Sequence, residues 1–186
     1  MDYSKYFKNY TKSINEILNN VDSDLIEKSV KIINKTIKQN KGIFIIGNGG
    51  SASIASHVSV DFAKVARVKS DTFNNANLIT CFANDYGYEN WVAKALEFYA
   101  DDGDFVILIS SSGQSINMLN GAKQSREMNL SLATLSGFKA DNPLRLMGDV
   151  NLWVDSTSYN IVEMAHHVWL LSIVDYLIEQ KKEKVS

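Results

Sequence analysis

Five side chains in this sequence have the types and spacing that proton transfer requires. His57 and Asp61 lie four residues apart in a segment with helical character, so they share one face of that helix. Glu163 and His167 have the same spacing, and His166 lies beside them. Imidazole titrates near neutral pH, and a neighbouring carboxylate fixes its tautomer. These residues suit acid–base catalysis or metal ligation; the plainer alternative for His57 and Asp61 is a hydrogen bond at a helix surface.

A glycine-rich loop follows the first buried apolar run of the chain. It reads Gly47-Asn48-Gly49-Gly50-Ser51 and leads into a helical segment. Glycines allow the backbone to turn sharply and to approach a ligand closely. Ser51 can cap the helix while the free N–H groups of its first turn face an anion. The alternative is an ordinary strand-to-helix turn with a serine cap.

A serine-rich loop follows a later apolar run. It reads Ser110-Ser111-Ser112-Gly113-Gln114-Ser115 and also precedes a helical segment. Hydroxyls and backbone N–H groups at a helix N-terminus hold phosphate without needing lysine. In open parallel sheets, ligands bind outside the carboxyl ends of the strands. Two such loops at one sheet edge therefore predict a phosphate site, although a plain serine-rich turn remains the alternative for the second loop.

These loops require a scaffold in which strands alternate with helices. Short continuous apolar runs predict strands that are buried on both faces, and they occur at 43–46, 78–82, 105–109, 130–135 and, more weakly, 150–154. Helical segments lie between most of them, at about 51–65, 89–100 and 115–128, with a long last helix over about 160–181. This alternation predicts a parallel sheet of about five strands with right-handed crossovers.

The chain length and the periodicity near the N-terminus predict one domain. The sequence has 186 residues, which is the usual size of a single domain. Residues 1–40 have the pattern of two amphipathic helices, and residues 41–186 form the predicted α/β core with its C-terminal helix. No repeat or linker divides the sequence.

Composition excludes several classes of protein. The net charge of −2 without a long run of one sign argues against nucleic-acid binding through a basic face. Cys81 is the only cysteine, so no disulfide forms within the chain, and a reducing compartment fits best. The N-terminus lacks the apolar core of a signal peptide, and no apolar run approaches the roughly 18–20 residues that span a bilayer. We therefore expect a cytoplasmic protein that binds no nucleic acid and no membrane.

Three motifs in this order resemble those of the bacterial phosphoheptose isomerase family. They are the glycine loop 47–51, then Asn84-Asp85-Tyr86-Gly87, then Ile109 with the serine loop 110–115. The similarity covers nearly the whole chain. Members of that family are sugar isomerase (SIS) domain enzymes that interconvert sedoheptulose 7-phosphate and an aldose heptose 7-phosphate. The resemblance implies a three-layer α/β/α SIS domain, a phosphorylated sugar as ligand, and a homotetramer with sites between subunits.

The resemblance also implies which residues contact the substrate. The serines after the strand 105–109 would hold the phosphate, and residues of the other two motifs would meet the sugar hydroxyls or the carbonyl end. The implied contacts are Asn48, Gly49, Ser51, Asp85, Ser110, Ser111, Ser112 and Ser115.

The catalytic positions depart from the family pattern. A histidine and a glutamate of the family correspond to His57 and Asp61, so the shorter aspartate replaces the catalytic base. A glutamine and a histidine on the last helix correspond to Val162 and Leu170, which can neither bind metal nor move a proton. We expect the neighbouring Glu163, His166 and His167 to fill this vacancy, although the two histidines, about 100° apart around the helix, cannot share a face.

Two functions remain open after these departures. The first is a sugar-phosphate aldose–ketose isomerase that works through an enediol, with the catalytic residues His57, Asp61, Glu163, His166 and His167. In that enzyme, His57 and Asp61 are the candidate ligands for Zn²⁺ or another divalent metal, and the rest of the site needs no cofactor. The second is a non-catalytic SIS module that binds a sugar phosphate or a protein, like a tetrameric relative that binds a replication initiator.

Overall fold

A computed structural model describes residues 2–183, which form seven α-helices, five β-strands and one short 3₁₀ turn. The helices are α1 (Tyr3–Asn19), α2 (Ser23–Lys38), α3 (Gly50–Lys64), α4 (Ala76–Tyr86), α5 (Trp91–Tyr99), α6 (Ile116–Glu127) and α7 (Tyr159–Glu183). The strands are β1 (Ile43–Gly47), β2 (Ser70–Asp71), β3 (Phe105–Ser110), β4 (Ser131–Ser136) and β5 (Val150–Trp153), and the 3₁₀ turn is Leu144–Leu146.

The strands form one parallel sheet in the order β2-β1-β3-β4-β5. Gly47 at the end of β1 pairs with Ile109 of β3, and Ser110 at the end of β3 pairs with Ser136 of β4. The last residues of these three strands therefore lie at the same edge of the sheet. This sheet and the helices on both of its faces confirm the predicted three-layer α/β/α fold.

Alternate residues of the central strands serve two separate hydrophobic clusters. In β3, Phe105, Ile107 and Ile109 belong to one cluster, and Val106 and Leu108 belong to the other. Successive side chains of a strand point to opposite faces, which explains the division. The first cluster includes buried residues of α2, α3 and α7, and the second includes buried residues of α5 and α6.

The apolar run at 78–82 is not a strand, so this prediction was wrong. Leu78, Ile79 and Phe82 lie in α4 and pack against the second cluster from one side of that helix. Their spacing of one and three residues fits a helical stripe as well as a short strand, and periodicity cannot separate these cases in a run of five residues. The sheet has β2 as its fifth strand instead, and this strand has only two residues, Ser70 and Asp71.

Helix α7 is apolar because it is part of the core. Among residues 2–183 it is the one helix whose length and composition would allow it to cross a membrane. However, Trp169, Leu170, Ile173 and Val174 on this helix are buried in the first cluster. Packing inside the domain therefore explains its composition.

The turn from β1 into α3 brings two backbone segments too close for a side chain between them. A Cβ atom at Gly47 would lie 2.5 Å from the carbonyl carbon of Ser51. Asn74 fixes the same residue from the other side, because its Oδ1 accepts from the N–H of Gly47 at 3.1 Å and its Nδ2 donates to the Gly47 carbonyl at 2.7 Å. Glycine at this position is thus a requirement of the turn.

We predict that Gly47→Ala lowers the free energy of unfolding by about 1–3 kcal/mol, which is the usual cost of forcing an extra carbon into a packed site. Gly42→Ala is the matched control, because a Cβ at that end of the strand would meet its nearest neighbour, Asp104 Oδ1, at an ordinary 3.7 Å. Urea denaturation of both variants measures the difference. Equal stabilities would contradict the close approach at Gly47.

Candidate functional site

A pocket of about 110 Å³ lies at the carboxyl edge of the sheet, between the glycine loop, the serine loop and the start of α7. Seven of the residues predicted for the site line it. They are Asn48, Ser51, Ser110, Ser111, Ser112, Ser115 and Glu163. Ile109 and Tyr159 complete the lining. The one predicted residue of the two loops that does not line the pocket, Gly49, is the N-cap of α3 next to this lining.

The serine loop presents the N-terminus of α6 to the pocket. Ser115 is the N-cap residue of this helix, but its side chain forms no capping hydrogen bond. Its hydroxyl instead accepts from Ser110 Oγ at 3.1 Å. The first N–H groups of the helix are therefore not occupied by the cap side chain, and together with the helix dipole they favour an anion such as phosphate.

The side chain of Asn48 is held by a residue that the sequence analysis missed. Asn117, in the first turn of α6, donates to Asn48 Oδ1 and accepts from Asn48 Nδ2, both at 2.9 Å. The hydroxyl of Tyr88 also donates to Asn48 Oδ1, at 3.3 Å. Asn117 is 1% exposed and Asn48 is half-buried, so this amide pair is a partly buried link between the glycine loop and the start of α6. Nothing in the sequence pattern distinguishes Asn117 from an ordinary helix residue.

Glu163 is the one carboxylate among the described residues that line the pocket. Its carboxylate lies against Gly50, where α3 begins, and occupies the space that a side chain at residue 50 would need. The start of α7 therefore lies against the glycine loop.

His57, Asp61 and His167 form a row beside the pocket. His57 Nδ1 lies 2.9 Å from His167 Nε2, and His57 Nε2 lies 3.4 Å from Asp61 Oδ2. Because a carboxylate only accepts, Asp61 favours a proton on Nε2 of His57. The Nδ1 atom of a neutral His57 then accepts from His167 Nε2–H. The row thus links α3 to α7 and brings together three of the predicted catalytic residues.

The pKa of His167 lies below its usual range. Burial lowers it first, and the nearby His57 lowers it further, whereas Asp61 raises it in part. His167 is therefore uncharged at neutral pH. An uncharged imidazole with a free nitrogen can accept a proton, which a general base must do.

The donor set does not fit a metal centre formed by this chain alone. Asp61 and His167 contact opposite nitrogens of the His57 ring, so the three groups lie in a row and do not converge on one point. Within residues 2–183, no group of three or more His, Cys, Asp or Glu side chains could hold a metal ion. Val162 and Leu170, the residues expected from the resemblance at the other two positions, are buried and apolar.

Two predicted residues lie apart from the pocket. His166 is fully buried, and its Nε2–H donates to the carbonyl of Ser136 at 3.1 Å, while its Nδ1 has no hydrogen-bond partner within residues 2–183. Asp85 lies at the exposed end of α4, where its Oδ1 accepts from Asn84 Nδ2 at 2.9 Å. Neither side chain lines the pocket, so the structure does not bring them to the two loops.

A larger open cleft of about 870 Å³ lies at the opposite, amino edge of the sheet. Lys41, Arg67 and Lys69 line it, but so do the three carboxylates of Asp71, Asp101 and Asp104. These charges balance formally, and the cleft lacks the histidines and the glutamate found at the other edge. The carboxyl edge is therefore the better candidate for a catalytic site.

Known proteins share this fold along nearly the whole chain. The sequence model of the SIS domain family matches residues 5–137. A phosphoheptose isomerase from Campylobacter concisus is 29% identical, and the match covers 88% of each chain. The structure of a phosphoheptose isomerase from Neisseria gonorrhoeae superimposes with a TM-score of 0.84 at 19% identity, covering 94% of this chain and 97% of that one.

A third similar protein was solved in complex with a ligand. This E. coli CFT073 protein superimposes with a TM-score of 0.74 at 20% identity, covering 97% of this chain and 89% of that one. At these identities the two solved structures show a common fold.

The burial of His166 predicts a loss of stability in acid. Burial lowers its pKa from 6.5 to about 4, against the weaker opposing effect of the Ser136 carbonyl. Above pH 6.5 His166 is uncharged in both the folded and the unfolded state. As the pH falls from 6.5 towards 4, only the unfolded state binds the proton, so the free energy of unfolding falls by up to about 3 kcal/mol.

Denaturation of the unmutated protein and of His166→Gln between pH 4 and pH 7.5 measures this effect. The variant should show a smaller decrease in acid, although His167 keeps part of the slope because its pKa is also lowered. A variant that keeps the full slope would contradict the assignment to His166.

Proposed function

The chain belongs to the SIS domain family, and we propose that it is an aldose–ketose isomerase of a sugar phosphate. One observation carries this proposal: the serine loop, with the N-terminus of α6, shares a pocket with Glu163, and the His57–Asp61–His167 row lies beside it. The names of the similar proteins support the same reaction class. Sedoheptulose 7-phosphate is the proposed substrate.

The size of the pocket supports binding of the phosphate end only. Sites that bury a whole small ligand measure about 300–1,000 Å³, whereas this pocket measures about 110 Å³. The hydroxyls of Ser110, Ser112 and Ser115 and the N–H groups of α6 would hold the phosphate. The carbon chain of the sugar would then extend past Glu163 along the surface between α3 and α7.

This orientation would bring the carbonyl end to the histidine row. His167 follows Glu163 by four residues, which is about 6 Å along the helix axis. In the proposed reaction, the free nitrogen of His167 accepts the proton from C1 of the ketose, and the enediol forms as a proton reaches the carbonyl oxygen. Return of a proton to C2 and loss of one from the C1 hydroxyl gives the aldose. Asp61 and His57 would hold the tautomer of His167, and Glu163 would orient the sugar hydroxyls and transfer protons between them.

No step of this mechanism passes through a metal ion. The donor atoms of His57, Asp61 and His167 do not converge, as described above, so the proton transfers are assigned to the side chains themselves. His166 takes no part in them, because it is buried outside the pocket.

A non-catalytic SIS module is the second candidate function. It is favoured by the apolar side chains of Val162 and Leu170 at two positions where the isomerase family has polar catalytic residues. Such a module would still bind the phosphate through the serine loop. The two functions are separated by incubating the protein with sedoheptulose 7-phosphate and measuring aldose formation.

We further propose a cytoplasmic homotetramer in which a second chain covers the open side of the site. Helix α1 has no buried residue, and its apolar stripe exposes 74% of Tyr3, 53% of Tyr6 and 52% of Phe7. Exposed aromatic surface of this kind marks contacts between proteins. The start of α7 lines the pocket of its own chain through Tyr159 and Glu163, so only the later turns of this helix would reach the pocket of a neighbouring subunit.

Replacing Ser110 and Ser112 together by alanine should weaken sugar-phosphate binding by about 2–3 kcal/mol, because hydrogen bonds to charged groups contribute about 1.5–3 kcal/mol each and water replaces part of them. Calorimetry with sedoheptulose 7-phosphate measures the change. Ser125→Ala is the control, since this buried serine of α6 donates to the Gly121 carbonyl away from the pocket. Unchanged affinity of the double variant would move the phosphate site elsewhere.

The single variants His57→Ala, Asp61→Asn, Glu163→Gln and His167→Ala test the catalytic assignment. At least three should lower turnover by about 100-fold or more, equal to about 2.7 kcal/mol of barrier, while sugar-phosphate affinity stays within a few-fold. Glu97→Gln on the surface of α5 should keep the full rate, and so should the unmutated protein after treatment with a chelator. Near-normal rates in all four variants would place the chemistry elsewhere.

The assembly is tested by light scattering at micromolar concentration. The unmutated protein should have the mass of four chains, and Tyr6→Glu combined with Phe7→Glu should reduce this mass, because charge in a buried aromatic contact is costly. A monomer mass for the unmutated protein would refute the proposed tetramer.

A further inference from the structure

A buried asparagine supports the serine loop from below. Asn142 is 2% exposed, and its Nδ2 donates to Ser136 Oγ at 3.1 Å, to the Gly137 carbonyl at 3.2 Å and to the Lys139 carbonyl at 2.8 Å. Its Oδ1 accepts from the N–H of Arg145 at 3.0 Å. One side chain therefore fixes the path of the backbone from the end of β4 to the 3₁₀ turn.

This segment is bonded to the serine loop at two points. The N–H of Gly137 donates to the Ser111 carbonyl at 2.9 Å, and the N–H of Leu144 donates to the Gly113 carbonyl at 3.2 Å. Gly113 has a φ of +66°, and the carboxamide of Asn142 occupies the space that a Cβ at Gly113 would need. The backbone of Gly113 is thus in direct contact with the side chain of Asn142, and the shape of the serine loop depends on that contact.

His166 connects this buried segment to α7. The Nε2–H of His166 donates to the carbonyl of Ser136, the residue whose hydroxyl accepts from Asn142. His166 precedes His167 and follows Glu163 by three residues on α7. A continuous chain of buried contacts therefore joins this helix, which carries two of the proposed catalytic residues, to the loop that is proposed to hold phosphate.

We propose that Asn142 and His166 are positioning residues that hold the serine loop in its phosphate-binding geometry and align it with α7. This role rests on the proposed function, since it assumes that the loop binds phosphate. The hydrogen bonds of a helix N-terminus are directional, and a binding site loses affinity when its groups are displaced by a fraction of an ångström. A rigid support beneath the loop avoids that loss.

Asn151 provides a matched control for Asn142. Its Oδ1 accepts from Thr134 Oγ at 2.7 Å and from the N–H of Gly148 at 3.0 Å, and its Nδ2 donates to the Gly148 carbonyl at 2.9 Å. It therefore also fixes a turn through several hydrogen bonds, but it does so at the start of β5, away from the carboxyl edge. Loss of either side chain should reduce thermal stability, whereas only Asn142 should affect the loop.

The first measurement requires no ligand. Amide hydrogen exchange in Asn142→Ala and Asn151→Ala should show faster exchange across residues 111–115 in the first variant only. Equal exchange of these amides in the two variants would overturn the proposed support, whether or not the protein binds a sugar phosphate.

The second measurement is calorimetry with sedoheptulose 7-phosphate and, separately, with inorganic phosphate. Asn142→Ala should raise the Kd by about tenfold, equal to about 1.4 kcal/mol, and Asn151→Ala should leave it within about twofold. His166→Leu should raise the Kd and His166→Gln should restore it, because the Gln amide can still donate to Ser136. Equal Kd values for the two asparagine variants, or for the two His166 variants, would overturn the assignment.

Failure of the proposed phosphate binding would give a different result. In that case the unmutated protein would bind neither probe, yet the exchange difference at residues 111–115 would remain.

Discussion

The register of the parallel sheet is the constraint on which the site depends. Because Gly47 of β1 pairs with Ile109 and Ser110 of β3 pairs with Ser136 of β4, three strands end side by side. Two of these strands lead into the loops that line the pocket, and the third leads into the segment beneath the serine loop. Every residue of β3 is buried and alternate residues belong to two different clusters, so a shift by one residue would exchange the side chains between the clusters and disrupt the packing of both.

Asparagine side chains then fix the loops in detail. Asn74 contacts Gly47, Asn117 contacts Asn48, and Asn142 contacts the serine loop and the end of β4. Each amide offers donors and acceptors together, so Asn74 and Asn142 satisfy backbone groups that would otherwise be unpaired, and Asn117 pairs with the side chain of Asn48. Helix α7 completes the arrangement because its inner face joins the core, while Glu163 and His167 remain near the site.

The sequence predicted most of the fold because buried parallel strands are continuous apolar runs, as at 43–46 and 105–109. The prediction was wrong where the segment is short. Residues 78–82 fit a helix as well as a strand, and β2 has too few residues to show a pattern. Helical spacing paired His57 with Asp61 correctly, but the contact between His57 and His167 depends on how α3 and α7 pack. The same packing buries His166, and no spacing rule decides which of two adjacent histidines faces the core. Asn142 before Pro143 was predicted as a helix cap, but its contact with the serine loop was not, and Asn74 and Asn117 gave no signal because asparagine is common in any turn or helix end.

The most direct test of the account is a crystal structure of this protein with sedoheptulose 7-phosphate. We predict that the phosphorus lies within hydrogen-bond reach of the Ser110 and Ser112 hydroxyls and of the first N–H groups of α6, with the carbonyl end of the sugar next to His167. A sugar phosphate bound instead in the amino-edge cleft, against Lys41, Arg67 and Lys69, would contradict the central claim that the two loops at the carboxyl edge form the site.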